Sequence, residues 1–460
     1  MHAPELTGYN VHPPSDRTAM LGKIGVDTIE DLWTAIPSTV RLRRSLNLPA
    51  PRTEWNLRSH LESLARLNQH SGTMQSYLGG GAYEHSIPET VRSLAARGEF
   101  LTAYTPYQPE MSQGVLRVLH DFQRLMAQLL GQTSVNCSVY DGATALAEAT
   151  WMACRATDRK RLIVSAALWP EYRAVLDTYC RGRGVEIVTL PSAPDSGQID
   201  IQAVEPLLQQ APAAAVVLQT PNRYGVIEGI QSIAKLTAGT DALTIVSCYP
   251  VSLGCLRSPG EAGADIVACE AQSLGLELNA GGPYLGVIAT RPELEEHLPG
   301  RLVGVCNDLK GEPALALVKE EREQHVARHQ ATSHICSNQA HLALRATIHL
   351  ATLGEQGFRA VAQLCAAKAH YLCDKLQQIE GVQTAKSGPF FNEFLIELPQ
   401  PPTVVLPRLR DRGVFGGIDV STWEPDLNRH LLIAVTEVKS KAELDFFAQE
   451  LAATLSASTH

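Results

Sequence analysis

The residues that decide the fold run Leu243-Thr244-Ile245-Val246-Ser247-Cys248-Tyr249, then Ser258-Pro259-Gly260-Glu261, then Ala264-Asp265-Ile266-Val267-Ala268-Cys269-Glu270. They lead into Ala271-Gln272-Ser273-Leu274-Gly275. Two apolar runs of strand length flank a Pro-Gly turn. Neither run alternates polar with apolar residues, which predicts strands covered on both faces, as in a parallel sheet. No lysine occurs between Lys235 and Lys310. The slot after the second strand therefore holds Ser273, whose hydroxyl cannot form the imine that an amine forms with a carbonyl compound.

The same alternation extends upstream. Ala145–Ala156, Glu171–Arg183, Val204–Gln210 and Ile230–Thr237 read as helices, and Leu162–Ala166, Glu186–Leu190 and Ala213–Gln219 as strands. Strand, helix, strand in this order predicts an α/β domain with a largely parallel sheet over residues 71–330. Residues 331–460 read as a smaller α+β domain, with strands Phe394–Leu398 and Leu431–Val435 and a last helix Lys441–Leu455. Residues 1–70 read as a helical arm too thin to bury a core, with helical spacing at Thr28–Ile36 and Trp55–Gln69 around the linker Leu48-Pro49-Ala50-Pro51.

Composition excludes several classes. A chain of 460 residues is long enough for two or three domains. A net charge of -9 argues against a nucleic-acid binder. No apolar run reaches the length of a membrane span, and the N-terminus has no signal-peptide core, so a cytoplasmic location is expected. The 10 cysteines are scattered without Cys-x-x-Cys pairs or zinc spacing, which predicts reduced, packed thiols and no metal site.

Three further segments carry chemistry. Ser76-Tyr77-Leu78-Gly79-Gly80-Gly81-Ala82-Tyr83 is a glycine-rich loop, either a phosphate cradle or a tight turn under another chain. Thr102–Gly114 contains Tyr104, Thr105, Pro106, Tyr107, Gln108, Pro109 and Glu110, a rigid aromatic stretch suited to an interface, to an active-site rim or to an ordinary surface loop. Tyr140-Asp141-Gly142-Ala143-Thr144 is a turn that opens a helix. Its first amides can take an anion, or Asp141 or Thr144 can cap them. The pair Arg322 and His325 has the spacing of one helix face.

Taken together, Thr102–Gly114, Tyr140–Ala149, Pro221–Gly229, Pro259–Val267, Gln272–Gly275 with Gly281–Gly286, Arg322–His325, Ala331–Leu342 with His341 interposed, and Gly388–Phe394 resemble the glycine cleavage system P-protein, and in particular the α subunit of its two-chain form. The resemblance implies an aminotransferase-like fold type I, the fold of pyridoxal-phosphate (PLP) enzymes. It implies that this chain binds no PLP covalently and that a β subunit carries the PLP lysine in an α2β2 assembly. It further implies glycine decarboxylation, with the aminomethyl group passed to lipoyl H-protein. Asp141, Gly142, Ala143, Thr144, Tyr249 and Ser273 then mark a vestigial cofactor pocket. Gly79, Gly80, Gly81, Tyr104, Thr105, Tyr107, Gln108 and Glu110 become the candidate contribution to the partner's active site. Tyr249-Pro250 stands where the resemblance leads one to expect Asp-Pro, and Cys269-Glu270-Ala271 where it leads one to expect Gly-Glu-Gly. Three readings remain at this point. The first is a supporting subunit of glycine decarboxylase, or of a relative acting on another amino acid. The second is a stand-alone enzyme using Lys235 or Lys310. The third is a scaffold without chemistry.

Overall fold

A computed structural model describes residues 12–42, 44–102 and 104–456. The chain divides into two compact units, Met1–Gln69 and His70–His460. The first contains helices Pro14–Ile24 and Glu54–Ala65 and a short 3-10 turn at Ile29–Trp33. Thr53 caps the second helix by accepting the amide of Asn56. None of the unit's described residues is buried, and Trp55 and Leu67 are among its exposed apolar side chains.

The second unit is built on a seven-stranded sheet. Its strands are β1 (Ser134–Val135), β2 (Arg161–Ser165), β3 (Glu186–Leu190), β4 (Ala215–Thr220), β5 (Leu243–Cys248), β6 (Ile266–Glu270) and β7 (Gly286–Thr290). The spatial order is β1-β7-β6-β5-β4-β2-β3. β3, β2, β4, β5 and β6 are mutually parallel, and β7 runs antiparallel to both of its neighbours.

The lack of polar–apolar alternation in the central strands has a direct cause. Ile163, Val216, Val246 and Val267 point into one hydrophobic cluster, and Leu162, Val217, Ile245 and Ile266 into another on the opposite face. Both faces are covered by helices, so neither needs polar residues. Each such side chain contributes roughly 1.5–3 kcal/mol on burial. The strand order reverses between β2 and β4, and open α/β sheets bind ligands beyond the carboxyl ends of their strands.

A four-stranded antiparallel sheet follows, formed by Gln383–Thr384, Glu393–Glu397, His430–Ala434 and Ile418–Asp419 in that spatial order. The long helix Ala340–Leu376 bends at Gly354, whose φ of 60° lies outside helical geometry. No helix among the described residues is long and apolar enough to cross a membrane.

Candidate functional site

Two corners of the second unit collect the residues singled out in the sequence. The first lies at the carboxyl ends of β5 and β6. Cys248 pairs with Cys269 in register, so Tyr249 and Glu270 leave neighbouring strands at the same level. The helix Gly142–Thr157 starts against this edge. Asp141 caps it by accepting the Thr144 amide at 2.7 Å. Glu270 accepts the Gly142 amide at 2.8 Å, and its other oxygen accepts the amides of Gln272 and Leu285, each at 2.9 Å. A Cβ on Gly142 would sit 2.2 Å from the Tyr172 hydroxyl and 2.7 Å from the Glu270 Cβ, so only glycine fits there. Burial pushes the Glu270 carboxyl up to about 7, against the pull of the three amides.

Tyr249 is buried, and its hydroxyl makes a short hydrogen bond to Nε2 of His85. Burial raises its phenol well above the ordinary range, so it supplies no negative charge. Nδ1 of His85 lies 2.7 Å from Glu437. Burial lifts the Glu437 carboxyl, but the hydrogen bond and charge of His85 outweigh that and hold it at about 2. Tyr83 packs on Tyr249 with ring centroids 4.6 Å apart. Ser273 is buried, and its hydroxyl has no hydrogen-bond partner.

Against this geometry a covalently held PLP does not fit. No lysine stands at the end of β6, and Lys235 and Lys310 are both exposed, the latter on the loop of the hairpin Leu302–Val318. Glu270 already holds the first helix amide.

The glycine-rich loop leans on the same region. Gly80 donates its amide to Glu393 at 2.9 Å, and the Tyr83 hydroxyl donates to the other oxygen of that carboxylate at 2.9 Å. A Cβ on Gly79 would lie 2.1 Å from Glu393, and one on Gly81 would meet the Trp169 ring at 3.4 Å. Gly79 thus permits close approach to the buried Glu393, and Gly80 and Gly81 supply positive φ of 85° and 99°.

The second corner gathers the Tyr-Pro segment; Ala103 within it lies outside the described residues. Tyr104 is 82% exposed, and its hydroxyl lies 2.7 Å from that of Ser337. Tyr107 is 47% exposed and accepts a hydrogen bond from Arg301 at 2.9 Å. The same guanidinium nitrogen donates to the Cys336 carbonyl at 2.7 Å, so Arg301 ties this segment to Ala331–Ala340. A cavity of about 380 Å³ opens between Tyr107, Ser138, Arg301, Glu323, His325 and Asn338. A neighbouring one of about 220 Å³ is lined by Tyr104, Thr105, Ser337 and His341, and Asn338 borders both. Gln108 and Glu110 are exposed on the approach to this corner.

The expected helix face of Arg322 and His325 is not formed. Glu323, with ψ of 157°, breaks the chain between a short 3-10 turn and the helix Gln324–Ala327. Arg322 is buried and donates to the Gly300 carbonyl at 2.9 Å, whereas the His325 ring is partly exposed beside Tyr107.

Sequence reading missed His85, Glu437 and Arg301, and it missed the role of Glu270. His85 follows the glycine loop closely, which was a usable signal. Glu437 and Arg301 come from distant segments, and nothing local marks them.

The buried carboxyl at β6 has a measurable consequence. A folded pKa of about 7 against an ordinary 4.5 means the folded state prefers the proton. The stability from Glu270 is full below pH 4.5 and is lost as pH rises through 7, on the order of 3 kcal/mol in all. His349, lowered by burial to about 4, acts in the opposite direction, so the effect is read as a difference. The Glu270→Gln variant is expected to gain stability relative to wild type between pH 5 and pH 8. Parallel chemical denaturation at both values measures this, and a gap that stays constant contradicts it.

The chain matches the family profile described as glycine cleavage system P-protein over residues 9–451. It is 46% identical over 431 residues to the probable glycine dehydrogenase (decarboxylating) subunit 1 of Moorella thermoacetica, covering 94% of this chain and 96% of that protein. The protein of the same description from Desulfitobacterium hafniense is 44% identical over 426 residues, covering 93% of this chain and 95% of that one. Among solved structures, an inhibitor-bound glycine decarboxylase (P-protein) of the glycine cleavage system superposes with a TM-score of 0.87 at 38% identity, covering 97% of this chain and all of the other. A sphingosine-1-phosphate lyase from Burkholderia pseudomallei superposes with a TM-score of 0.62 at 16% identity, covering 92% of this chain and 94% of the other, a likeness of fold alone. That fold is the type I fold of PLP enzymes, and the chain belongs to the glycine cleavage system P-protein family.

Proposed function

We propose that this chain is the subunit of a two-chain glycine decarboxylase that lacks the cofactor lysine, and that it works by completing the active site of a PLP-bearing partner. The observation that carries this reading is the end of β6, where Ser273 is buried in a chain 46% identical to a protein named as subunit 1 of a glycine dehydrogenase. PLP on the partner supplies the electron sink for decarboxylation. The part left to this chain is positioning and the exclusion of water.

Two features support an assembled role. The segment around Tyr104, Tyr107 and Met111 exposes large apolar surface while Arg301 fixes its shape from behind. The first unit exposes apolar side chains and has no buried residue among those described, which suits an arm that wraps a partner. Our reading is an α2β2 assembly in the cytoplasm that meets lipoyl H-protein transiently. The same reading places a boundary near residue 330, with residues 331–460 as a small domain. In it Gly79, Gly80 and Gly81 and the segment from Tyr104 to Glu110 face the partner's site, and Asp141, Gly142, Ala143, Thr144, Tyr249 and Ser273 are the remains of a cofactor pocket. Lys235 and Lys310 are exposed, which disfavours a stand-alone enzyme.

Borohydride reduction of the purified chain with PLP tests this. Peptide mapping is expected to give only scattered, substoichiometric adducts on surface lysines. A stoichiometric pyridoxyl adduct on one lysine contradicts the reading.

A further inference from the structure

The helix Gly142–Thr157 points its first amides at the carboxyl edge of the sheet, where an anionic group is favoured by open N–H donors and by the helix dipole. In this chain the anion comes from within. Glu270 is the last residue of β6, and it accepts the Gly142 amide at 2.8 Å with one oxygen and two further amides with the other. Asp141 holds the Thr144 amide at 2.7 Å. Tyr172 closes the third side, its hydroxyl 2.2 Å from where a Gly142 Cβ would stand. Beside this, the level of the strand ends is filled by Tyr249, which is hydrogen-bonded to His85 and packed on Tyr83.

We propose that Glu270 is a built-in substitute for a ligand phosphate: its carboxylate takes the Gly142 amide at the helix end while Asp141 takes the Thr144 amide, and the corner thereby excludes both inorganic phosphate and phosphorylated ring compounds. The missing lysine explains only why no covalent bond forms. A phosphate anchor and a stacked ring could still hold a phosphorylated ligand without one. The Glu270 contacts remove that second possibility, because a phosphate would have to displace a carboxylate already held by three amides. Two like charges on one helix end repel, so the two anions compete rather than share. The arrangement also accounts for the burial of an ionisable group with no cationic partner among its contacts: the amides and the helix end satisfy its oxygens.

The test uses the full chain at pH 8, where Glu270 is ionised, with inorganic phosphate and pyridoxine 5′-phosphate as probes. The second probe is an alcohol and cannot form imines with surface lysines. Wild type is expected to show no saturable binding of either up to about 10 mM by calorimetry, a limit well beyond the millimolar affinities that a lone weak contact gives. Glu270→Ala frees the Gly142 amide, with Asp141 still on the Thr144 amide, and is expected to bind phosphate at least about tenfold more tightly than wild type, with a matching rise in unfolding temperature when phosphate is added. Glu270→Ser serves as a second variant of the same design. Saturable binding of pyridoxine 5′-phosphate to wild type below about 1 mM overturns the proposal. So does a folded Glu270→Ala or Glu270→Ser variant that remains as blind to phosphate as wild type. Should neither variant fold, the wild-type titration decides the question alone.

Discussion

In the assembled enzyme, Tyr107→Phe is expected to lower glycine–bicarbonate exchange by about a hundredfold while leaving the complex intact, the loss typical of one active-site hydrogen-bond donor. Arg301 donates to the Tyr107 oxygen at 2.9 Å, so that oxygen is an acceptor within its own chain. Its own proton is then free to be donated elsewhere, and the ring is 47% exposed beside a cavity. Phenylalanine keeps the ring, its contact with His325 and the exposed apolar surface proposed to meet the partner. A selective fall in rate with unchanged association therefore separates a hydroxyl aimed into the partner's site from one that only shapes an interface. Tyr104→Phe and Glu110→Gln are companions in the same assay, run at matched subunit content. Wild-type rates from all three variants reduce the segment to structure and favour a scaffold role.

Gly225→Ala is expected to be severely damaging. Gly225 sits in the turn after β4 at φ +80°, a conformation that costs a residue with a side chain. A Cβ there would lie 1.9 Å from the Glu393 carbonyl oxygen and 2.4 Å from its carbon. Those atoms are backbone, on the strand Glu393–Glu397, so they cannot rotate away. The cost combines a strained dihedral with displacement of a whole strand, more than about 4 kcal/mol. Thermal denaturation is expected to show a protein that is unfolded or melts far below wild type. Gly239→Ala is the control: its nearest atom is 3.9 Å from the new Cβ, and its stability should change by less than about 1 kcal/mol. Equal stability of the two variants contradicts the packing described for the Gly225 turn.

Much of the fold is legible because its driving pattern is local. The helix Ile230–Thr237 and the strand Glu186–Leu190 fall where apolar spacing puts them. β4, β5 and β6 are buried along their whole length because helices cover both faces, and mostly apolar runs without alternation report that directly. Legibility falls where structure depends on distant partners. The helix Pro14–Ile24 escapes sequence reading because it has no buried face to impose a period. The short 3-10 turn at Ile29–Trp33 replaces the longer helix expected at Thr28–Ile36 for the same reason. Arg322 and His325 have helical spacing in sequence, but the hydrogen bonds of Arg322 to the Leu298 and Gly300 carbonyls draw it inward and break the helix between them.

The candidate site divides along the same line. Ser273 and Tyr249 can be placed because each lies within three residues of the end of a buried strand. The capping role of Asp141 is readable because a cap acts within three residues. Glu270 stands in the quoted stretch, yet its role depends on where the helix Gly142–Thr157 packs, which no local pattern states. Arg301 joins Cys336 to Tyr107, which lies 194 positions before Arg301 in the chain. Pairings of that range are set by the fold as a whole.

On the function proposed, this chain carries no cofactor of its own and is required by a partner that does. The most direct measurement is glycine–bicarbonate exchange, with H-protein present, for this chain alone, for a PLP-bearing P-protein β subunit alone, and for the two titrated together. Negligible exchange is expected from either alone, and a rate that rises with added chain to a plateau at equal subunit numbers. Full activity from the β subunit without this chain, or exchange by this chain without the β subunit, would contradict it.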